Sequence, residues 1–272
     1  MPKPAYWRPE RRNRNIGTAA SGYDQSNEMT IPEARRDRFG QFTTCYFERL
    51  KPDHIQTVEI GTQSIKLIYE SPREGFTYGC TPPDVMKMLD SSVEHIPIFP
   101  DIIALRQPTR KQRSMEPVWG RCLYFAEFGI CEGSAIILES QDMSGLQRYP
   151  KRMSLQDGAE LERLRNDGHR VTETRRYFEA GFEPSAVRNT VLYRTLLHEL
   201  GHWDQYCREV LDPTSRLAGS EEAAWELYCS KPASEKEVYA HKFAEALAQK
   251  LRASGTIPFD PQPFVANSNG PS

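Results

Sequence analysis

The stretch that most limits what this chain can fold into is VRNTVLYRTLLHELGHW, residues 187–203. Its apolar positions Val187, Val191, Leu192, Leu196, Leu200 and Trp203 recur at the three- and four-residue spacing of a helix with a buried face. Into that helix the sequence sets HELGH, an H-E-x-x-H motif. At about 100° per residue, His198 and His202 lie within about 40° of each other and one turn apart, so both imidazoles can reach one metal ion. Glu199 sits about 100° round the axis from His198, placed to address a water on that ion without ligating it. A chance H-E-x-x-H arises in a chain of this kind with odds on the order of one in a hundred, so the motif alone decides little. The context adds weight. Two histidines on a largely buried helix need polar partners, and a metal satisfies both.

Zinc is the cofactor this pattern suggests. Held by imidazole nitrogens and a carboxylate oxygen, it lowers the pKa of a bound water from 15.7 toward about 7, and Glu199 is the base that would take the proton as that water attacks a carbonyl. The same carboxyl can then carry the proton to the departing amine. A third ligand is needed. The extended motif H-E-x-x-H-x-x-G-x-x-H is ruled out by Gln205 and Arg208, and Cys207 lies about 180° round the helix from His198. That leaves a carboxylate from another helix. Glu237, in EVYAHKFAEAL, heads a face formed by Ala240, Phe243, Ala244 and Leu247, and the two alanines permit close approach to the H-E-x-x-H helix. In the rival reading Glu237 caps its own helix through a box with Ser234. Glu221, Glu222 and Glu226 on the intervening helix are reserve ligands, although acids at a helix start ordinarily serve the dipole.

The rest of the chain reads as α+β. With 272 residues, 38% of them hydrophobic, it can bury a substantial core, and a net charge of −2 marks neither a nucleic-acid nor an acidic-membrane binder. Its longest apolar runs are broken by proline and charge and fall short of the roughly 20 residues of a membrane span. The N-terminus lacks the apolar stretch of a secretory signal, so a cytoplasmic location is expected. Six cysteines without a C-x-x-C pair argue against a zinc knuckle, and Cys122 and Cys131 are the one pair a hairpin could bring face to face.

Residues 1–40 read as a basic, poorly ordered extension. Lys3, Arg8, Arg11, Arg12 and Arg14 stand there against Glu10, either as a solvated tail or as an arm able to touch single-stranded DNA. Residues 41–80 read as β-rich, with a strand over TTCYFERL and a hairpin turning at GTQ within IQTVEIGTQSIKLIYE. A core over 81–255 opens with a helix capped by Thr81, continues through strands DIIALRQ, RCLYFAEF and SAIILES, and carries a polar insertion over 141–184. Within that insertion GAELERLRND and ETRRYFEAGF both suggest short helices. Helices follow over 185 to about 210, over SEEAAWELYC, and over SEKEVYAHKFAEALAQKLRAS up to Gly255, and residues 256–272 read as an irregular tail.

TLLHELGHW together with EVYAHKFAEAL resembles the gluzincin branch of zinc metallopeptidases, in particular the ImmA/IrrE-like peptidases, whose second motif is approximately E-x-x-A-[ND]-x-F-A. Glu237, Ala240, Phe243 and Ala244 match it, and the resemblance spans about residues 82–254. It implies a zincin-like core, in which a small mixed sheet packs on the metal-binding helix and on a second, glutamate-bearing helix. It further implies zinc held by His198, His202 and Glu237, Glu199 as general base, and a protein substrate gripped in extended form along the edge strand. The chain departs from the pattern at His241, where the family often has Asn or Asp. On Glu237's face, His241 could orient a ligand histidine or stabilise an oxyanion, or simply be solvated. HELGHW followed by SRLAG also resembles the metallopeptidase half of ArdC-type antirestriction proteins, which implies a nucleic-acid-binding protein of a mobile element as the alternative.

The expected function is therefore zinc-dependent hydrolysis of a peptide bond in a protein partner. Specificity is expected in an edge strand, read as SAIILES, and in the insertion. Tyr193, Tyr206, Tyr228 and Tyr239 are near enough in sequence to assist the transition state, each with packing as its ordinary role.

Overall fold

The computed structural model describes residues 35–36, 42–43, 50–115, 118–214 and 219–264, and only the backbone of 35–36, 42–43, 111 and 114–115. The chain divides into two units, residues 1–49 and 50–272. In the first, β1 (Arg35–Arg36) pairs antiparallel with β2 (Phe42–Thr43), Arg35 opposite Thr43. The expectations for the basic residues 3–14, for Cys45 and for all of TTCYFERL between Thr43 and Leu50 lie outside the described residues.

The second unit is α+β and centres on a five-stranded mixed sheet. β3 (His54–Ile60) and β4 (Gln63–Tyr69) form the hairpin expected at GTQ, with Gly61 at φ +59°, the left-handed conformation such a turn requires. The short β5 (Phe76–Thr77) leads to α1 (Pro82–Ser92), whose start is fixed by Thr81 and Asp84 in a reciprocal capping box. The chain then enters β6 (Ile102–Arg106), parallel to β4, and the six-residue α2 (Arg110–Met115). The hairpin of β7 (Gly120–Glu127) and β8 (Glu132–Glu139) completes a sheet ordered β3-β4-β6-β8-β7, with β8 parallel to β6. Cys122 faces Ile136 in this hairpin, so it is not opposite Cys131, and both are free thiols.

One expectation is corrected here. SAIILES is β8, an internal strand buried from Ser134 to Glu139, and the outer strand on that side is β7. An unbroken apolar run marks a strand covered on both faces, whereas β7, with Gly120, Arg121 and Tyr124 partly exposed, has the mixed character of an edge.

The insertion also differs from expectation. After β9 (Gln141–Asp142), which pairs with β5, the chain forms β10 (Leu146–Pro150), α3 (Leu155–Asn166), β11 (Arg170–Glu173) and β12 (Tyr177–Gly181). GAELERLRND lies in α3, but ETRRYFEAGF is a hairpin. Its strands join β10 in an antiparallel sheet ordered β10-β12-β11, where Tyr149 and Ala180 pack on Leu161 and Leu164 of α3. Thr174 turns that hairpin by bonding the Tyr177 carbonyl and amide, a local preference that outcompetes the weak helical periodicity.

From Pro184 to Leu211 the chain is one helical rod. It comprises α4 (Pro184–Arg188), a π-helical segment (Asn189–Thr195), α5 (Leu196–Tyr206) and a second π-helical segment (Cys207–Leu211). Then come α6 (Glu221–Ser230) and α7 (Ala233–Ala253). Val191, Leu192, Leu196, Leu197 and Leu200 of the rod meet Ile103, Leu105, Ile136 and Leu138 of the sheet, and Leu247 and Leu251 of α7 close the core from the far side. No helix among the described residues is long and apolar enough to cross a membrane.

Part of the irregular tail is pinned. Arg188 donates to both carboxylate oxygens of the buried Asp84 at 2.6 and 3.0 Å and to the Phe259 carbonyl at 3.2 Å. The Gln262 and Thr81 amides also bond Asp84, at 2.9 and 2.8 Å.

Candidate metal centre

The site is assembled where α5 crosses α7. A Cβ at Gly201 would lie 2.9 Å from both the Cα and the carbonyl oxygen of Ala240, closer than packed carbon atoms can stand, so the helices meet backbone to backbone at that glycine. The buried Ala240 and Ala244 complete the near contact, in keeping with the small residues noted in the sequence. This approach brings Glu237 to the two histidines. The capping-box alternative is not formed: α7 starts at Ala233 behind Pro232 with no side-chain cap, which leaves Glu237 inside the helix.

His198 Nε2 lies 3.1 Å from His202 Nε2, Glu237 Oε2 lies 3.3 Å from His198 Nε2, and Glu237 Oε1 lies 3.5 Å from His202 Nε2. With their Nε2 lone pairs turned inward, the two imidazoles and the carboxylate could share one cation; with Nε2 protonated, they would hydrogen-bond the carboxylate instead. Zinc bonds to nitrogen and oxygen are about 2.0–2.2 Å, and a tetrahedral shell therefore spaces its donors by about 3.4 Å. The nitrogen–nitrogen distance and the shortest distance from each nitrogen to a Glu237 oxygen are all close to that spacing. The donor set also fits zinc chemically, with two imidazoles and one carboxylate leaving a fourth position open. Among the described residues this is the group of His, Cys, Asp and Glu donors close enough to share an ion. Glu221, Glu222 and Glu226 are exposed on α6 and take no part in it.

Electrostatics separate the two glutamates. Hydrogen bonds to His198 and then His202, opposed by burial, hold the Glu237 carboxyl far below the usual carboxylate range, as suits a ligand. Burial pushes the Glu199 carboxyl up, against the pull of the neighbouring histidines. A carboxyl raised in this way is a better proton acceptor. Its place is set by β7: a Cβ on Gly120 would come within 3.2 Å of Glu199 Cγ and 2.7 Å of Thr195 Cγ2, so glycine there lets the helix lie against the edge strand.

His241 packs on His198 with ring centroids 4.4 Å apart and the rings tilted by 45°, and burial, followed by the charge of His198, pushes its pKa down to about 4. The Nδ1 of His198 is buried without a hydrogen-bond partner, so packing on His241 restrains that ring in place of a carboxylate or carbonyl. The four tyrosines singled out earlier are occupied elsewhere. Tyr193 donates to the Phe259 carbonyl at 3.2 Å and Tyr239 to Asp204 at 2.7 Å, while Tyr228 bonds Tyr124 at 2.6 Å and Tyr206 stacks on Tyr124. Cys207 is buried against Trp203, Tyr206 and Val210, away from the donors.

The donor triangle opens into a cleft of about 930 Å³. One wall is β7 from Gly120 to Tyr124; the other comes from the insertion, through residues 146–149 of β10 and through Glu160 and Arg163 of α3. Arg194 and Tyr149 line it too. Neither was singled out in the sequence, although Arg194 carries a signal in standing four residues before His198.

Comparison with known protein families, with curated proteins and with solved structures finds no match to this chain. The functional reading therefore rests on the cleft itself.

Proposed function

We propose that this chain is a zinc-dependent endopeptidase of the zincin type, acting on an extended segment of a protein partner. The observation that carries the reading is the triangle of His198, His202 and Glu237, sized for one ion, with the buried carboxyl of Glu199 beside it on the same helix. A zinc ion held there would supply Lewis acidity, polarising a carbonyl and lowering the pKa of a coordinated water toward about 7. Glu199 lies between the donors and the edge strand. It takes the proton as water attacks the scissile carbonyl, keeps it in the low-dielectric floor of the cleft, and returns it to the leaving amine. β7 is the outer strand of the sheet, and its segment Gly120–Tyr124 along the cleft would receive an extended substrate in the manner of strand addition. His241, whose lowered pKa keeps it neutral near pH 7, is placed beside the donors to fix the His198 ring.

The test is hydrolysis of an unfolded protein, β-casein, by zinc-loaded wild type and by Glu199→Gln, with fragments read by mass spectrometry. Fragments from wild type alone are expected. No cleavage of casein or of a proteome-derived peptide library, or equal cleavage by both proteins, would refute the proposal.

A further inference from the structure

Two buried donor atoms of the cleft bond nothing, one on β10 of the insertion and one on the π-helical segment of the rod. The hydroxyl of Tyr149, on a side chain only 5% exposed, has no hydrogen-bond partner, and neither has Nη2 of Arg194. Both residues line the cleft that holds the donor triangle. A buried donor left unpaired costs the fold roughly 1–3 kcal/mol, and two on residues lining one cleft point to a missing acceptor. The surroundings state the acceptor's charge. Arg194 already donates to Asp167 at 2.6 Å and to Glu160 at 3.1 and 3.2 Å, and Glu160 also pairs with Arg163 at 2.8 Å. With Asp157, which also acts on Tyr149, two cations stand against three carboxylates, so there is no positive surplus and the site suits a neutral oxygen and not an anion. Burial pushes the Tyr149 phenol up, which keeps its proton available for donation.

We propose that Tyr149 Oη and Arg194 Nη2 form a subsite for an amide carbonyl of the bound polypeptide, on the wall opposite β7. The inference rests on the peptidase reading for the identity of the ligand. An extended peptide in the cleft would then be held from both sides, by the backbone edge of β7 and by these donors. The carbonyl could belong to the peptide main chain or to an Asn or Gln side chain.

The experiment uses the full zinc-loaded chain carrying Glu199→Gln, so that retention does not depend on turnover, with and without Tyr149→Phe. The probe is a pool of unstructured random decapeptides, and retained sequences are quantified by mass spectrometry. Tyr149→Phe should lower retention about two- to tenfold, the worth of one neutral hydrogen bond. Its melting temperature should be unchanged or higher, because the lost hydroxyl bonds nothing in the fold. A uniform fall across sequences assigns the acceptor to the main chain; a fall confined to peptides with Asn or Gln at one position assigns it to the side chain. Equal retention by the two proteins overturns the subsite, water then satisfying the donors, as does a lowered melting temperature or the absence of any retained peptide on the parent. Retention by the parent without hydrolysis by the wild-type chain would sink the peptidase reading alone.

Discussion

Two polar clusters hang from the same helical rod and have opposite characters. At Arg188 every strong group is answered: the guanidinium meets both oxygens of Asp84 and a tail carbonyl, and Asp84 receives two backbone amides as well. At His198 and His202 two ring nitrogens stand 3.1 Å apart with the two Glu237 carboxylate oxygens 3.3 and 3.5 Å from them, and a further ring nitrogen is buried with no partner. The first cluster is complete as it stands and ties α1, the rod and the tail together. The second could hold a cation, and on the reading proposed above the cleft beyond it would receive a substrate. Where a fold leaves converging polar groups unsatisfied, the missing partner comes from outside the chain.

The contrast can be broken most forcefully at Glu199. Glu199→Gln should lower peptide turnover by about 10²–10⁴-fold, the usual worth of a general base, while retaining its zinc. If zinc is lost with activity, Glu199 is a ligand and the division of labour between the two glutamates fails. The complementary change is Asp84→Asn. It strands the Arg188 charge against a neutral partner and should cost about 3–5 kcal/mol in urea unfolding with zinc stoichiometry unchanged. A loss of metal in this variant would show that the two clusters are not independent.

Gly201→Ala probes the seam itself. The added methyl group meets Ala240 backbone at 2.9 Å, so the helices must part, at a cost of about 1–3 kcal/mol, and zinc affinity should weaken together with stability. Unchanged affinity would mean that the site tolerates a wider crossing than the donor triangle implies.

Acid should separate the clusters more gently. Burial raises the Asp84 carboxyl, but the bonds from Arg188, Gln262 and Thr81 outweigh it, and its folded pKa lies below the ordinary 3.8. Its contribution to stability is therefore complete above that ordinary value and is lost as pH falls through the lower folded one. A zinc ion held at the donor triangle should leave earlier, because metal binding to imidazole competes with protons. Followed by a zinc-sensitive dye and by circular dichroism, slow acidification should release metal before the fold gives way; the reverse order would contradict the assignment.

Much of this was legible in the sequence where local physics dominates. The H-E-x-x-H spacing needs only one helix, and the apolar run at 187–203 guarantees one. Glu237 required more, since its place depends on a helix crossing that Gly201, Ala240 and Ala244 hint at but do not fix. The misreadings share a cause. ETRRYFEAGF has a weak helical periodicity, and only the neighbouring β10 decides that it pairs as a hairpin. The place of SAIILES in the sheet is set by topology, which a strand's composition does not spell out, although its double-sided apolar character argues for the interior. Tyr149 carries no sequence signal and Arg194 only its place one turn before His198: what they share is a donor atom left unsatisfied, which exists only once everything else has found its partner.

The most direct test of the central claim is metal content by elemental mass spectrometry on tag-free wild type, His202→Ala and Glu237→Gln. The donor triangle predicts about one zinc per wild-type chain, none in His202→Ala and a weakened site in Glu237→Gln. Wild type that holds no zinc even after reconstitution would contradict it, and would make HELGH a feature of helix packing alone.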